Sequence, residues 1–288
     1  MLLSDKWTDY NLIDASDGQK LEKWGDYYLV RPDPQAIWSH RTEKKLWHTA
    51  HAIYHRSKAG GGYWEYNEKL PDSWQIKYAG LTFNVKPMGF KHTGIFPEQA
   101  ANWDFIIDKI SNANRPIKVL NLFAYTGGAT VAAASAGASV VHVDAAKGMV
   151  SWAKENAASS GLADAPIRYI VDDCVKFVER EIRRGNKYDV IIMDPPTYGR
   201  GPKGELWRFE DELFGLVTKC VQVLSDNPLL FIVNSYTTGI SHTVVSNVLS
   251  YLIKSKFGGN IVSDELGLGM SSNSLPLPCG YTTRWFSE

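Results

Sequence analysis

The segment IKVLNLFAYTGGATVAAASAGASVVHVD, residues 117–144, contains the pattern that decides the fold. An apolar run leads to a glycine pair, a stretch of small residues follows, and a β-branched run ends at Asp144. The two apolar runs have the length of buried strands, and the small-residue stretch between them has the length of a helix. The segment therefore predicts a strand–helix–strand unit with two parallel strands.

The same alternation continues toward the C-terminus. Helices are predicted over residues 147–161, 174–185, 211–224 and 242–257, and strands over 167–173, 188–194, 229–236 and 280–287. Repeated strand–helix units of this kind form a mostly parallel, doubly wound sheet with helices on both faces. This part of the chain therefore predicts an α/β fold.

The first part of the chain has a different composition and hydrophobic pattern. It holds most of the ten tryptophans, and prolines and glycine runs separate its short alternating segments. Residues 74–85, WQIKYAGLTFNV, alternate apolar and polar residues around Ala79-Gly80 and predict a hairpin. We therefore predict a small β-rich N-terminal domain over residues 1–88 and a larger domain over residues 89–288.

Composition limits the classes of protein that are compatible with the chain. Its 288 residues include 31 basic and 31 acidic side chains, so no net charge indicates a partner, and a nucleic-acid role would need a local basic face. The three cysteines do not form a CxxC motif, which argues against a metal site. The N-terminus is too polar for a signal peptide, and no apolar run is long enough to span a membrane. We expect a cytoplasmic protein.

The residues that follow the predicted strands indicate a ligand site, because parallel sheets bind ligands at the carboxyl ends of their strands. Gly127-Gly128 follow the first strand, Asp144 ends the second, and Asp172-Asp173-Cys174 follow the third. A glycine turn exposes helix N–H groups, and the carboxylates can accept from ribose hydroxyls and an adenine amino group. Together they predict a nucleoside pocket, although each alone can be a tight turn or a helix cap.

The fourth strand leads into DPPTYG, residues 194–199. Two prolines cannot donate to a sheet, so the strand ends there and the chain leaves it along a fixed path. That path can present Asp194 and the Tyr198 ring to a planar base, which would stack on the aromatic face. The alternative interpretation is a rigid turn with a surface tyrosine.

The order NLFAYTGGAT, HVD, VDDC and MDPPTYG resembles the class I S-adenosylmethionine-dependent methyltransferases. More narrowly, it is similar to the bacterial large-subunit (23S) rRNA methyltransferases of the cytosine-C5 and guanine-N7 type, over roughly residues 85–260. The resemblance implies a seven-stranded Rossmann-like sheet, S-adenosylmethionine as cofactor and an RNA substrate. We expect the PUA RNA-binding domain that precedes this fold in some relatives to be missing.

The resemblance also implies roles for individual residues. The adenine would be held by Asp173 and Cys174, the ribose by Asp144, and the acceptor base would face Asp194, Pro195 and Tyr198, with Asp194 also beside the cofactor. The methionine end would be lined by Phe123, Tyr125, Thr126, Gly127 and Gly128, with Phe96 and Gln99 contributed by the GFKHTGIFPEQAANW segment, residues 89–103.

The acceptor atom is predicted from the cysteines. Relatives that methylate cytosine C5 carry a nucleophilic thiol after the fifth strand, where this chain has Asn234, Ser235 and Tyr236. A nitrogen acceptor is therefore favoured over C5. Residues 198–212, with Arg200, Lys203 and Arg208 among aromatic residues, suit RNA contacts or form a solvated loop. A protein or a small-molecule amine remains the alternative acceptor.

Overall fold

The computed structural model describes residues 1–57, 61–200 and 206–288, without the side chain of Arg200. The chain divides into two compact units. The first comprises Met1–Ala101 and Leu266–Cys279, and the second Asn102–Glu265 and Gly280–Glu288. The predicted domain boundary after residue 88 stays a prediction. The first segment of the first compact unit ends at Ala101.

Hydrogen bonds explain why residues beyond 88 belong to the first unit. The Lys86 N–H donates to the Thr93 carbonyl at 3.1 Å, and the Met88 N–H donates to the His92 carbonyl at 3.2 Å. Further along, Ser4 Oγ donates to the Pro97 carbonyl at 2.8 Å. These bonds tie the segment to the N-terminal strands.

The first unit is rich in strands. A five-stranded sheet has the order β2-β3-β4-β5-β6, and β7 pairs with β8 in a separate hairpin. Within this unit β1 pairs in parallel with Leu266 and Gly267. The elements are β1 Leu2–Leu3, β2 Tyr10–Ser16, β3 Gln19–Trp24, β4 Tyr27–Pro32, α1 Lys44–His48, β5 Ala52–Arg56, β6 Gly62–Tyr66, β7 Trp74–Tyr78, β8 Leu81–Val85 and the 3-10 turn Pro97–Gln99.

The predicted hairpin over residues 74–85 is confirmed. Strands β7 and β8 are antiparallel from Trp74 opposite Val85 to Tyr78 opposite Leu81. The turn residues Ala79 and Gly80 have φ values of 47° and 85°, as a two-residue turn between twisted strands requires.

The second unit alternates strands and helices. Its elements are α2 Ala100–Ser111 (which begins in the first unit), β9 Lys118–Leu122, α3 Gly128–Ser135, β10 Ser139–Asp144, α4 Lys147–Ser159, β11 Ile167–Val171, α5 Cys174–Arg184, β12 Val190–Met193, β13 Tyr198–Arg200, β14 Leu206–Arg208, α6 Phe209–Gln222, β15 Leu230–Ser235, α7 His242–Leu249, the π-helical turn Ser250–Lys254, α8 Ser255–Phe257, β16 Asn260–Gly269 (which ends in the first unit) and β17 Pro276–Phe286 (which begins there).

The large sheet has eight strands in the order β1-β16-β17-β15-β12-β9-β10-β11. Strands β9, β10, β11, β12 and β15 are parallel, and β17 is antiparallel to β15. The chain passes from β9 to β10 and β11 on one side and then returns to β12 on the other, so the topological switch lies at β9. This confirms the predicted doubly wound sheet, to which the two-residue strand β1 adds an eighth strand beside β16.

Two buried clusters flank this sheet because successive strand residues point to opposite faces. Leu120, Val141 and Ile191 pack on one face with α5 and α6. On the other face, Val119 and Val190 pack with α2 and α3. Burial on both faces explains why the strands read as continuous apolar runs in the sequence.

Three features of the strands after β12 were not predicted. The short hairpin β13–β14 follows the Asp-Pro-Pro segment, and the long strand β16 precedes the closing strand. That closing strand starts at Pro276 rather than at residue 280. Among the described residues, no helix is long and apolar enough to cross a membrane.

Candidate active site

Hydrogen bonds join the carboxyl ends of four neighbouring strands. The Asp194 N–H after β12 donates to the Leu122 carbonyl of β9 at 3.4 Å, and the Ala124 N–H donates to the Val143 carbonyl of β10 at 3.1 Å. The Asp172 N–H after β11 then donates to the Asp144 carbonyl at 3.0 Å. The sheet therefore brings the predicted glycine turn and the predicted acidic residues to one edge.

The turn between β9 and α3 has an unusual backbone. Phe123 and Tyr125 have positive φ values of 53° and 50°, and Gly127 has a φ of 83°. Left-handed conformations cost free energy in residues that carry a Cβ and are concentrated at functional sites. A Cβ on Gly127 would also lie 2.8 Å from the Cβ of Ala153 in α4. Glycine is required here by both the conformation and the close approach of α4.

Asp144 holds this turn in place. Its Oδ2 accepts from the Tyr125 N–H at 2.9 Å, and its Oδ1 accepts from the Ala146 N–H at 2.8 Å. Each carboxylate oxygen can accept more than one hydrogen bond, so the side chain can also accept from hydroxyl groups. The half-buried position of Asp144 therefore fits a ribose partner in addition to its role in the turn.

Asp172 and Asp173 after β11 have separate structural contacts. Asp172 forms an ion pair with Arg180 and accepts from the Asp173 N–H at 2.9 Å. Asp173 is the N-cap of α5, where its Oδ1 accepts from the Lys176 N–H at 2.9 Å. The helix-cap alternative applies to Asp173, and its predicted contact with adenine stays a prediction.

The thiol of Cys174 lies in the core instead of at the site. Its sulfur accepts from the Phe123 N–H at 3.2 Å, and the side chain is 4% exposed. Burial raises the pKa of this thiol far above its ordinary value. Any contact of Cys174 with an adenine ring would come from its backbone N–H, which is in the first turn of α5.

The other thiols also lack features of a nucleophile. Cys220 is fully buried inside α6, and burial raises the pKa of its thiol. Cys279 belongs to the first unit, where burial likewise raises the pKa of its thiol. All three cysteines are free, and none is placed where a low pKa would form a thiolate.

The Asp-Pro-Pro segment is anchored by neighbours that the sequence did not reveal. Thr197 Oγ1 and Thr237 Oγ1 are 2.9 Å apart and link the loops after β12 and β15. Trp207 Nε1 donates to the Pro196 carbonyl at 2.6 Å, and its ring lies 5.5 Å from that of Phe123. The β13–β14 hairpin is therefore bound to both the turn after β9 and the segment after β12.

The predicted acceptor-side residues differ in exposure. Asp194 is half-buried and Pro195 is buried. Tyr198 is 52% exposed, so its ring is accessible to a planar partner. The exposed Arg208 lies opposite Tyr198 in the hairpin. Lys203 and the side chain of Arg200 lie outside the described residues.

Further polar residues that the sequence did not reveal lie behind the glycine turn. Asn121 Nδ2 donates to Thr130 Oγ1 at 2.9 Å, and Thr130 Oγ1 is 2.9 Å from Nδ1 of the buried His142. The buried Asn156 of α4 donates to the Thr126 carbonyl at 2.8 Å. Asn156 could have been noticed in the sequence because it is a polar residue on the face of α4 that is otherwise apolar and buried.

Phe96 and Gln99 were predicted at the same site but belong to the first unit. Gln99 is buried in a 3-10 turn, and its N–H donates to the Phe96 carbonyl at 3.0 Å. The Phe96 ring lies 5.2 Å from that of His92. Their predicted role toward the cofactor stays a prediction.

Comparison with known proteins identifies the family. The model of the S-adenosylmethionine-dependent methyltransferase family matches residues 37–211, more than half of the chain. The chain belongs to this family. The cofactor that the family requires fits the residues present, since the turn, the carboxylate of Asp144 and the first turns of α3 and α5 offer the donors and acceptors that a nucleoside needs.

Relatives and solved structures agree with this assignment. The crystal structure of the SAM-dependent methyltransferase from Agrobacterium tumefaciens is 38% identical with a TM-score of 0.92, covering 98% of this chain and 91% of that chain. SMU.776 complexed with SAH has the same fold, with 21% identity and a TM-score of 0.73 over 98% of this chain and 76% of that chain.

The ribosomal RNA large subunit methyltransferase K/L of Shewanella frigidimarina is 32% identical over 182 residues, 62% of this chain. The alignment covers 25% of that relative, so the chain spans about a quarter of its length. The residues that the family model matches, 37–211, include the glycine turn, Asp144 and the Asp-Pro-Pro segment.

Proposed function

We propose that the chain transfers a methyl group from S-adenosylmethionine to a base of RNA, and specifically to a nitrogen atom of 23S rRNA. The observation that carries this proposal is the rigid Asp-Pro-Pro segment, which leads from the cofactor edge of the sheet to the exposed ring of Tyr198. The name of the Shewanella relative, an rRNA large subunit methyltransferase, supports RNA as the substrate. In this proposal the enzyme acts in the cytoplasm.

The cofactor would be held by the residues at the ends of β9, β10 and β11. Asp144 would accept from the ribose hydroxyls, Asp173 and the backbone of Cys174 would contact the adenine, and the turn from Phe123 to Gly128 would line the methionine end. When bound, S-adenosylmethionine supplies a methyl group on a positively charged sulfur. The ring of Phe123 adds an aromatic face that suits a cation, at about 0.5–2 kcal/mol.

The acceptor base would be held by the segment after β12. Tyr198 offers its exposed face for stacking, which compensates for about 1–3 kcal/mol of the cost of taking a base out of its stack. Asp194 accepts from the base, and the hydrogen bonds at Pro196 and Thr197 keep the segment fixed. Such alignment contributes on the order of 7–11 kcal/mol to lowering the barrier.

A nitrogen acceptor follows from the chemistry of the three thiols. A ring nitrogen or an exocyclic amine has a lone pair and needs no covalent activation, whereas C5 of cytosine requires a thiolate. Strand β15 ends with Asn234 and Ser235 and is followed by Tyr236, and Asn234 Oδ1 accepts from Asn102 Nδ2 at 2.9 Å. None of these three residues is a cysteine.

The decisive experiment measures methyl transfer to naked 23S rRNA from a strain lacking the gene. We expect methylated nucleosides, detected by mass spectrometry, with wild-type protein. Tyr198→Ala should reduce this methylation at least about tenfold while S-adenosylhomocysteine affinity stays unchanged. Tyr251→Ala, which removes another exposed tyrosine of the second unit, should have wild-type activity.

Two results would contradict the proposal. Methylation of a protein or a small-molecule amine without any methylation of RNA would mean that this molecule, and not RNA, is the substrate. Normal rRNA methylation by Tyr198→Ala would show that Tyr198 does not stack on the acceptor base, and the proposal would lose its main support.

A further inference from the structure

A cavity lies at the edge of the large sheet opposite to the candidate active site. It has a volume of about 210 Å³ and is lined by Lys118, Ser139, Arg168, Asn186, Lys187 and Tyr188, together with apolar residues. Lys118 begins β9, Ser139 begins β10 and Arg168 is near the start of β11. The cavity therefore lies at the amino ends of strands whose carboxyl ends form the candidate active site.

Cations dominate the polar lining of this cavity. The side chains of Lys118 and Arg168 are exposed and form no hydrogen bond or ion pair with any other residue in the described part of the chain. The third cation, Lys187, is fixed in position because its Nζ donates to the Gln222 carbonyl at 2.7 Å.

The acidic groups near the cavity already have partners. Glu181 accepts from Tyr188 and Asn186 and pairs with Arg184 at 2.9 Å. Asp189 pairs with Arg115 at 2.8 Å and also accepts from the Lys118 N–H at 2.9 Å. Because each of these two acids is paired with an arginine outside the cavity lining, neither neutralises the lining cations.

The chemistry of this cavity fits a phosphate group. A guanidinium can donate two parallel hydrogen bonds to phosphate oxygens, and ammonium groups add charge without a fixed direction. Ser139 and Asn186 provide further donors. The volume is below the roughly 300 Å³ of small-molecule pockets, and thus accommodates a phosphate with part of its sugar better than a complete cofactor.

We propose that this cavity binds a backbone phosphate of the RNA substrate, at a point remote from the methylated base. This inference rests on the proposed function. Strand β10 has 6 residues, so its two ends are about 17 Å apart. A phosphate at the cavity therefore belongs to a different nucleotide from the base at Tyr198, and its contact positions the RNA without reading its sequence.

The test uses a double variant, Lys118→Gln/Arg168→Gln, and a control of equal charge change, Lys154→Gln/Lys256→Gln. The control cations are exposed residues of the second unit that do not line the cavity. RNA binding is measured between 50 and 200 mM salt. The double variant should lower the slope of log K against log salt by about 0.7–0.9, the contribution of one neutralised phosphate, whereas the control should not.

Kinetics separate positioning from catalysis. The double variant should raise the KM for RNA by about tenfold, with kcat and S-adenosylhomocysteine affinity unchanged. A salt slope and a KM equal to those of wild type would overturn the proposal, even if rRNA is methylated as proposed. Thermal unfolding of both variants verifies that each is folded.

A second arm uses inorganic phosphate and AMP as probes in heteronuclear NMR titrations of the whole chain. Shifts at the cavity residues that disappear in the double variant support the phosphate chemistry. If these shifts occur while wild type neither binds nor methylates RNA, the proposed function fails and a free nucleotide or phosphate replaces RNA as the ligand. If neither probe causes shifts and RNA does not bind, the proposal that the cavity binds a phosphate is wrong.

Discussion

Asp144 Oδ2 accepts a hydrogen bond of 2.9 Å from the Tyr125 N–H, and this bond joins the end of β10 to the turn after β9. The turn has positive φ values at Phe123 and Tyr125, so it needs contacts that stabilise it. One carboxylate therefore both shapes the loop that would line the methionine end and lies where the ribose is expected.

Asp144→Ala should weaken the binding of S-adenosylhomocysteine by about 1–3 kcal/mol, because two backbone N–H groups and the ribose lose an acceptor. Isothermal titration calorimetry measures this change. Asp144→Asn keeps one acceptor oxygen and should bind with intermediate affinity, and the exposed Asp164→Ala serves as control. Equal affinity of Asp144→Ala and wild type would exclude a ribose contact.

Gly127→Ala tests the close approach of α4. The substitution combines a left-handed conformation, which costs roughly 1–2 kcal/mol, with a Cβ contact of 2.8 Å to Ala153. Gly161→Ala is the matched control, since Gly161 has a φ of 74° and no atom within 4 Å of the added Cβ. Chemical denaturation should show a larger loss of stability for Gly127→Ala, and only this variant should lose cofactor affinity. Similar losses in both variants would mean that the turn tolerates a Cβ.

Trp207 anchors the hairpin that carries Tyr198. Trp207→Phe removes the hydrogen bond to the Pro196 carbonyl but keeps an aromatic ring near Phe123, and Trp207→Ala removes both contacts. We expect RNA methylation to fall in the order wild type, Phe variant, Ala variant, with the hydrogen bond worth about 0.5–1.5 kcal/mol. Initial rates at several RNA concentrations measure this order. An unchanged rate in Trp207→Ala would show that the hairpin has no part in holding the acceptor.

Replacing Cys174, Cys220 and Cys279 together by serine should leave methyl transfer within about tenfold, or roughly 1.4 kcal/mol in the barrier. Serine retains an acceptor for the Phe123 N–H at position 174. Wild-type protein is also treated with RNA containing 5-fluorocytosine, and we expect no covalent adduct. An adduct that one of the serine substitutions abolishes would make C5 the acceptor.

The pH dependence of stability should contain a contribution from His142. Burial lowers its pKa in the folded protein to about 4, whereas the unfolded chain has the ordinary value near 6.5. As the pH falls from about 6.5 to 4, the unfolded state takes up the proton first, so folding loses up to about 3 kcal/mol. His92 also has a pKa lowered to about 4 by burial and the nearby Arg31, and adds to the same loss.

His142→Gln isolates the contribution of His142, because glutamine cannot titrate. The variant should be less stable than wild type at pH 7.5 but should lose less stability between pH 6.5 and 4. Urea denaturation at a series of pH values provides the comparison. Parallel pH profiles for the two proteins would contradict the buried, neutral state of His142.

Part of this fold could be predicted because it depends on local pattern. Buried parallel strands are continuous apolar runs in the sequence. Gly161 and Gly185 follow the ends of α4 and α5, so the predicted bounds of these two helices are close to the observed ones. Strand β16 could not be predicted, since it lacks a clear alternation and depends on pairing with distant strands.

The sequence by itself determined the parallel sheet and the identity of the residues at its carboxyl edge. Only the tertiary structure decided what those residues contact. Cys174 points into the core and Asp173 caps α5, although both follow the strand in the expected order. The basic cavity likewise depends on Lys118, Arg168 and Lys187, which are far apart in the chain. Short-range periodicity fixes which elements form, whereas long-range packing fixes which side chains share a site.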